Sequence, residues 1–194
     1  MATSLDTMSN EREIIRISKF LSLVLRHKPD QIGLELDSNG WADINILIKK
    51  CNELNIPLTL DILKHIVETN SKKRFAFNDQ SDKIRANQGH SIEVELELKP
   101  IEPPIALYHG TAERFVSSIL ETGLIKQQRQ HVHLSSTFET ALAVGRRHGR
   151  PFVFKILAQQ MFSDKYEFFL SDNGVWLTEN VPTKYLKEYA VDKE

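Results

Sequence analysis

Cysteine is nearly absent: Cys51 stands alone in a chain of 194 residues. One thiol excludes an internal disulfide and any cysteine-based metal cluster, and it fits a reducing compartment. Long apolar runs are missing too, since no stretch approaches the roughly 18 consecutive apolar residues of a membrane-crossing helix. The opening MATSLDTMSNERE has neither the apolar run nor the charge bias of a signal peptide. These absences lead to the expectation of an intracellular, cytoplasmic protein with no membrane partner. Excess charge of one sign is lacking as well, with 25 Lys and Arg against 26 Asp and Glu and a formal net charge of -1. Any anionic partner must then be held by local basic clusters and not by the field of the whole chain. Internal repeats and low-complexity tracts do not occur.

What is present is enough apolar residue, 41% of the chain, to build one medium core or two small ones. EREIIRISKFLSLVLRHKP places Ile14, Ile17, Leu21 and Val24 or Leu25 at helical spacing, with Arg26 and His27 in the last turn before Pro29. Cations there suit the helix dipole whatever else they do. DQIGLELDSNGWADINILIKKCNEL predicts a short strand, a turn at Asn39-Gly40, an anchoring Trp41 and a helix that begins after Asp43. TLDILKHIVETN predicts another helix, KKRFAFND an alternating strand, and IEVELELKP a further extended stretch after the turn chemistry of IRANQGHS. Helix, strand, helix, helix and hairpin is the order of a winged helix, so residues 11–98 read as a small α+β domain.

KPIEPP then supplies an extended, stiff connection over residues 99–104. Beyond it strands dominate: ALYHGT, QHVHLS, FVFKILA, KYEFFLSDN, GVWLT and YLKEYAV, with helices near Arg114–Leu120 and Phe138–Arg147. The predicted domains are thus 1–98 and 105–194, joined by that linker.

Two groups of residues carry chemistry. In the first half, basic residues collect at element ends: Arg26, His27 and Lys28, then Lys72, Lys73 and Arg74, then Lys83 and Arg85. An arginine fork offers two parallel hydrogen bonds to a phosphate, although such clusters are also ordinary solvated surface. In the second half, the alternation of QHVHLS sets His131, His133 and Ser135 opposite Val132 and Leu134, and LYHGT puts His109 at a strand exit. Gly110 there permits another group to approach the backbone closely. Two histidines on one strand face can share a metal ion, but no carboxylate or cysteine completes a ligand set, so a hydrogen-bonding face for a polar ligand is the reading and no metal site is assigned.

The motifs LRHKP, GW, KKRFAF, IRANQGHS, LYHGT, RQHVHLSS, VGRRHG and NGVWLTENVP follow one another between Ser18 and Tyr189. In that order they resemble the KptA-type RNA 2'-phosphotransferases. The resemblance implies a winged-helix RNA-binding lobe followed by an ADP-ribosyltransferase-like, NAD-binding lobe. It implies an enzyme that moves an internal RNA 2'-phosphate onto NAD, releasing nicotinamide and ADP-ribose 1'',2''-cyclic phosphate, as in tRNA splicing. By position it implies Arg26, His27, Arg74 and Arg129 as catalytic residues, with Arg85 and Arg146 or Arg147 as neighbouring alternatives for the last two. The three arginines and the histidine would form an anion pocket between the lobes. It implies NAD binding by His109, Gly110, Thr111, His133 and Ser135, with Asn87, Gly89 and His90 near that site. The His, Tyr, Glu triad of ADP-ribosyltransferase folds falls here on His109, His133 and Val175, and a phosphate nucleophile, already anionic, has no need of the missing Glu. RNA bearing a 2'-phosphate, with tRNA as a candidate, and NAD are the implied partners of a monomer. Two other readings are an ADP-ribosyltransferase acting on phosphorylated nucleic-acid ends and a winged-helix binding protein that only senses a nucleotide.

Overall fold

The computed structural model describes residues 4–70 and 72–189, with side chains from residue 11 onward. The chain divides into two compact units, Met1–Glu97 and Leu98–Glu194. Helix and sheet are mixed in both, so the class is α+β. Among the described residues no helix is long and apolar enough to cross a membrane.

The first unit opens with α1, Ser4–Val24. Ile17, Leu21, Val24 and Leu25 recur at the spacing of one helix face and are fully buried. α2, Ile44–Glu53, starts where Asp43 accepts a hydrogen bond from the Ile46 N–H, and α3, Leu60–Thr69, starts where Thr59 does the same for Ile62. Leu47, Cys51, Leu63 and Ile66 carry these helices into the same core as Phe75 and Ile84. Each such burial contributes on the order of 2 kcal/mol. Cys51 is a packing residue within it, and burial pushes its thiol up to about 11.

Against the helices lies an antiparallel sheet of order β1-β3-β2, formed by Ala42–Asp43, Phe75–Phe77 as β2 and Lys83–Ala86 as β3. The Asn39-Gly40 turn forms as expected, with Gly40 at φ +79° and its N–H donating to the Asp37 carbonyl. Two predicted strands do not form. Residues 34–36 and 92–98 join no sheet, Glu97 taking a left-handed φ of +53°, and the second segment is held to the first part of the unit by a bond from the Glu95 N–H to the Ser38 carbonyl at 2.7 Å. Val94 and Leu96 alternate with exposed residues, so period two reports a half-buried extended chain and not strand pairing.

In the second unit β4, Leu107–Ala112, pairs antiparallel with β7, Pro151–Ile156, which also pairs with β11, Leu186–Tyr189. A second sheet has β9, Trp176–Thr178, between β6, Val132–Leu134, and β8, Phe169–Leu170. A two-stranded pair, β5 (Leu124–Ile125) with β10 (Asn180–Val181), was not expected. α4 spans Val116–Thr122 and α5 spans Phe138–Gly145. α6, Ala158–Ser163, was not expected and begins at the last residue of the predicted FVFKILA strand; at six residues it shows too few turns to display helical periodicity. Residues of KPIEPP pack within this unit, Pro103 being buried and the Ile101 N–H donating to the Phe168 carbonyl at 2.8 Å.

Candidate functional site

Arg26 and His27 lie just past α1 and not in its last turn. The His27 N–H still makes a helical bond to the Leu23 carbonyl at 2.9 Å, but the Lys28 N–H reaches that same carbonyl at 2.9 Å and closes the chain off. Pro29, which has no N–H to offer, then opens the 3-10 turn Pro29–Ile32.

The segment Asn87–Ser91 ties this turn to the strand that follows α3. The Asn87 N–H donates to the Arg74 carbonyl at 2.9 Å, and its side-chain amide donates to the Lys73 carbonyl at 2.7 Å. Four residues on, the Ser91 N–H donates to the Arg26 carbonyl at 2.9 Å while its hydroxyl lies 3.0 Å from His27 Nδ1. Gly89, at φ +85°, lets the backbone turn between these two anchor points in a conformation that a side chain resists. Arg26 Nη2 donates to the Arg74 carbonyl at 3.3 Å, and Arg74 Nη1 to Asn70 Oδ1 at 3.4 Å. Arg26, His27 and Arg74 are therefore brought together within the first unit. Sequence reasoning missed Ser91, although it closes the IRANQGHS motif.

His90 sits inside this arrangement, only 1% exposed. Burial pushes its imidazole down to about 4, and the positive charges of Arg26, His27 and Arg85 act in the same direction. The ring is thus neutral at physiological pH, and neither of its nitrogens has a hydrogen-bond partner among the described residues. Arg85 lays its guanidinium over the Trp41 ring, 4.5 Å from the centroid, so Trp41 is a half-buried platform for a cation and not the core anchor expected of it. The aromatic and the arginine are 44 positions apart, and no sequence signal links them.

In the second unit β4 and β6 meet at a single bridge, where Tyr108 and Ser135 exchange backbone hydrogen bonds of 2.9 and 2.8 Å. Beside it His109 Nδ1 donates to the His133 carbonyl at 3.1 Å. Burial lowers the His109 pKa and Arg129 adds to this, while the His133 carbonyl opposes both. Its Nε2 is consequently an acceptor in a neutral ring. Arg129 reaches His133 as well, donating from Nη1 to Nδ1 at 3.2 Å. His109, His133, Ser135 and Arg129 are thus neighbours within this unit.

Other expected residues are placed differently. What approaches Gly110 is the backbone of α5: a Cβ there would lie 1.7 Å from the Ala141 carbonyl oxygen, so the glycine serves helix packing. Thr111 is buried beside it. His131 leaves the strand face of His133 and rests against Phe169, ring centroids 5.6 Å apart. Val175 is held in a turn, its N–H donating to the Ser171 hydroxyl and its carbonyl accepting from Ser171. Among the described residues no group of three or more His, Cys, Asp or Glu side chains is placed to hold a metal ion.

Comparison with known proteins bears on what this geometry serves. Residues 12–180 match the model of the family described as RNA 2'-phosphotransferase, Tpt1 / KptA family. A protein of Flavobacterium johnsoniae named "Probable RNA 2'-phosphotransferase" is 53% identical over 178 residues, covering 92% of this chain and 98% of its own. Proteins of the same name from Agrobacterium fabrum and Fusobacterium nucleatum are 53% and 49% identical, covering 87% and 89% of this chain and 91% and 97% of theirs. Matched by the family model over residues 12–180 and about half identical to such relatives over most of its length, the chain belongs to the Tpt1 / KptA family of RNA 2'-phosphotransferases.

Proposed function

We propose that this protein transfers an internal 2'-phosphate from RNA to NAD, its first unit acting as a winged-helix lobe and its second as an ADP-ribosyltransferase-like lobe. The observation that carries the reading is the cluster of Arg26, His27 and Arg74, tied by Asn87 and Ser91 around a buried, neutral His90. Cations assembled against their own repulsion are suited to a multiply charged anion such as a phosphate monoester.

As co-substrate, NAD supplies an activated anomeric carbon whose nicotinamide departs as a neutral base. A phosphate oxygen bonds to that carbon as the bond to nicotinamide breaks. The neighbouring ribose hydroxyl then bonds to phosphorus, the bond from phosphorus to the RNA 2'-oxygen breaks, and the hydroxyl proton ends on that oxygen. RNA with a 2'-hydroxyl and ADP-ribose 1'',2''-cyclic phosphate result.

The residues present fit these tasks. His109, neutral with Nε2 as an acceptor, suits a ribose hydroxyl, and His133 and Ser135 extend the same polar set. Gly110 supports this set by admitting α5 close to β4. In the first unit Arg26, His27 and Arg74 suit the charge that builds on the phosphoryl oxygens in the second step, and Arg129 of the second unit, bonded to His133, offers chemistry of the same kind. His27 is the member able to exchange a proton near neutral pH.

The test incubates the purified protein with a short RNA carrying one internal 2'-phosphate, with and without NAD, and follows both products by mass. Loss of phosphate only with NAD, matched by ADP-ribose cyclic phosphate, is the expected result. An ADP-ribosylated RNA that never releases a 2'-hydroxyl, in wild type or any variant, would instead support transfer to phosphorylated ends, and no change in either would leave a binding protein.

A further inference from the structure

We infer that the groove along α1 in the first unit seats the RNA nucleotide adjoining the phosphorylated one, so that the protein grips a strand and not an isolated phosphate. The inference rests on the phosphotransferase reading above, which places the 2'-phosphate at Arg26 and Arg74. Those two arginines also line this groove, whose volume is about 470 Å³. Whatever is held by them therefore has a continuous path into it.

From Arg26 the groove follows one face of α1 through Ser22, Ser18 and Ile15, positions three or four residues apart. At about 1.5 Å per residue this face runs for roughly 16 Å, more than a phosphate group alone requires. Ile66, Thr69 and Asn70 form the opposite wall, at the end of α3 and just beyond it.

The lining is chemically one-sided. Lys19 joins the two arginines as a third cation, and the described lining includes no carboxylate. In a chain that carries one more carboxylate than cation, this is a local departure toward a polyanion. Ser18, Ser22 and Asn70 add hydroxyl and amide groups of the kind that bond 2'-hydroxyls and phosphate oxygens. Ile15, 55% exposed, offers an apolar wall to a base face. An apolar helix from a protein partner would bury three cations against hydrocarbon, a poor match.

The test compares adenosine 2'-phosphate with a trinucleotide RNA bearing a central 2'-phosphate, using the full chain, NAD, and the surface variants Lys19→Glu and Ile15→Asp. Wild type is expected to show a lower KM for the trinucleotide. Each variant should raise that KM by about five- to twenty-fold, with kcat and the mononucleotide KM moving less than about two-fold. Equal effects on both substrates, or none on either, would overturn the inference. Binding of a labelled hexanucleotide, read by fluorescence anisotropy on the same proteins, judges the groove independently of turnover. Weakened binding in both variants with no wild-type turnover would keep the groove and sink the reaction, whereas unchanged binding would sink the groove.

Discussion

Arg26 donates from Nη2 to the backbone carbonyl of Arg74 across 3.3 Å, joining two arginines that are 48 positions apart in the chain. The bond uses one guanidinium to steady the backbone from which the other projects. Losing the Arg26 side chain should therefore disturb both, whereas Arg74→Ala leaves the accepting carbonyl in place. Arg26→Ala and Arg74→Ala are each expected to lower kcat by about 10²- to 10³-fold, and the double variant to fall well short of the product of the two. Single-turnover assays with 2'-phosphorylated RNA would check this, and strictly multiplicative losses would contradict the coupling.

Acid should destabilise the first unit through His90. Its folded pKa, about 4, lies below the ordinary imidazole value of 6.5, so the unfolded chain binds the extra proton. Stability from this source is complete above about pH 6.5 and is lost as pH falls toward 4, by about 2 to 3 kcal/mol. His90→Gln should flatten that part of the profile. Urea denaturation of both proteins at pH 7 and pH 4.5 tests it, and parallel losses in the two would refute it.

Gly110→Ala is expected to act on the fold and not only on the proposed binding of NAD. The added methyl would meet the Ala141 carbonyl oxygen, and Gly145 of the same helix lies close behind it. A backbone collision of this kind should cost about 3 kcal/mol or more. Thermal unfolding should show a fall of at least about 10 °C. An unchanged melting temperature with lost activity would return Gly110 to a ligand-contacting role.

Arg129 lowers the His109 pKa, so Arg129→Ala should let it rise. Burial is the larger cause and persists, which keeps the value below that of a free imidazole. Ring-nitrogen NMR titration of His109 in the two proteins reads the direction, and a fall on removing the arginine would show that the two groups do not interact as described.

Most of the first unit could be read from the sequence because its signals are local. Asp43 and Thr59 cap helices by accepting bonds from residues three positions on, and the buried face of α1 repeats at helical spacing. Chemistry of the same short range predicted Asn39-Gly40 as a turn. The misplaced elements are those where local pattern is ambiguous. Burial of Val94 and Leu96 mimics a strand, and α6 is shorter than two full turns.

The sequence alone determined which residue types were available: three arginines and several histidines in recognisable motifs, a helix ending at LRHKP, and a chain with no bulk charge to attract RNA. Only tertiary structure decided what each does. Arg26 meets Arg74 because Asn87 and Ser91 bond to their backbones, and Arg85 meets Trp41 across the sheet. His90 is neutral because folding takes it out of water among cations, whereas His131, with the same side chain, is carried to Phe169. Hydrogen bonds between distant segments and loss of solvent are properties of the folded chain, and neither leaves a periodic trace in the order of residues.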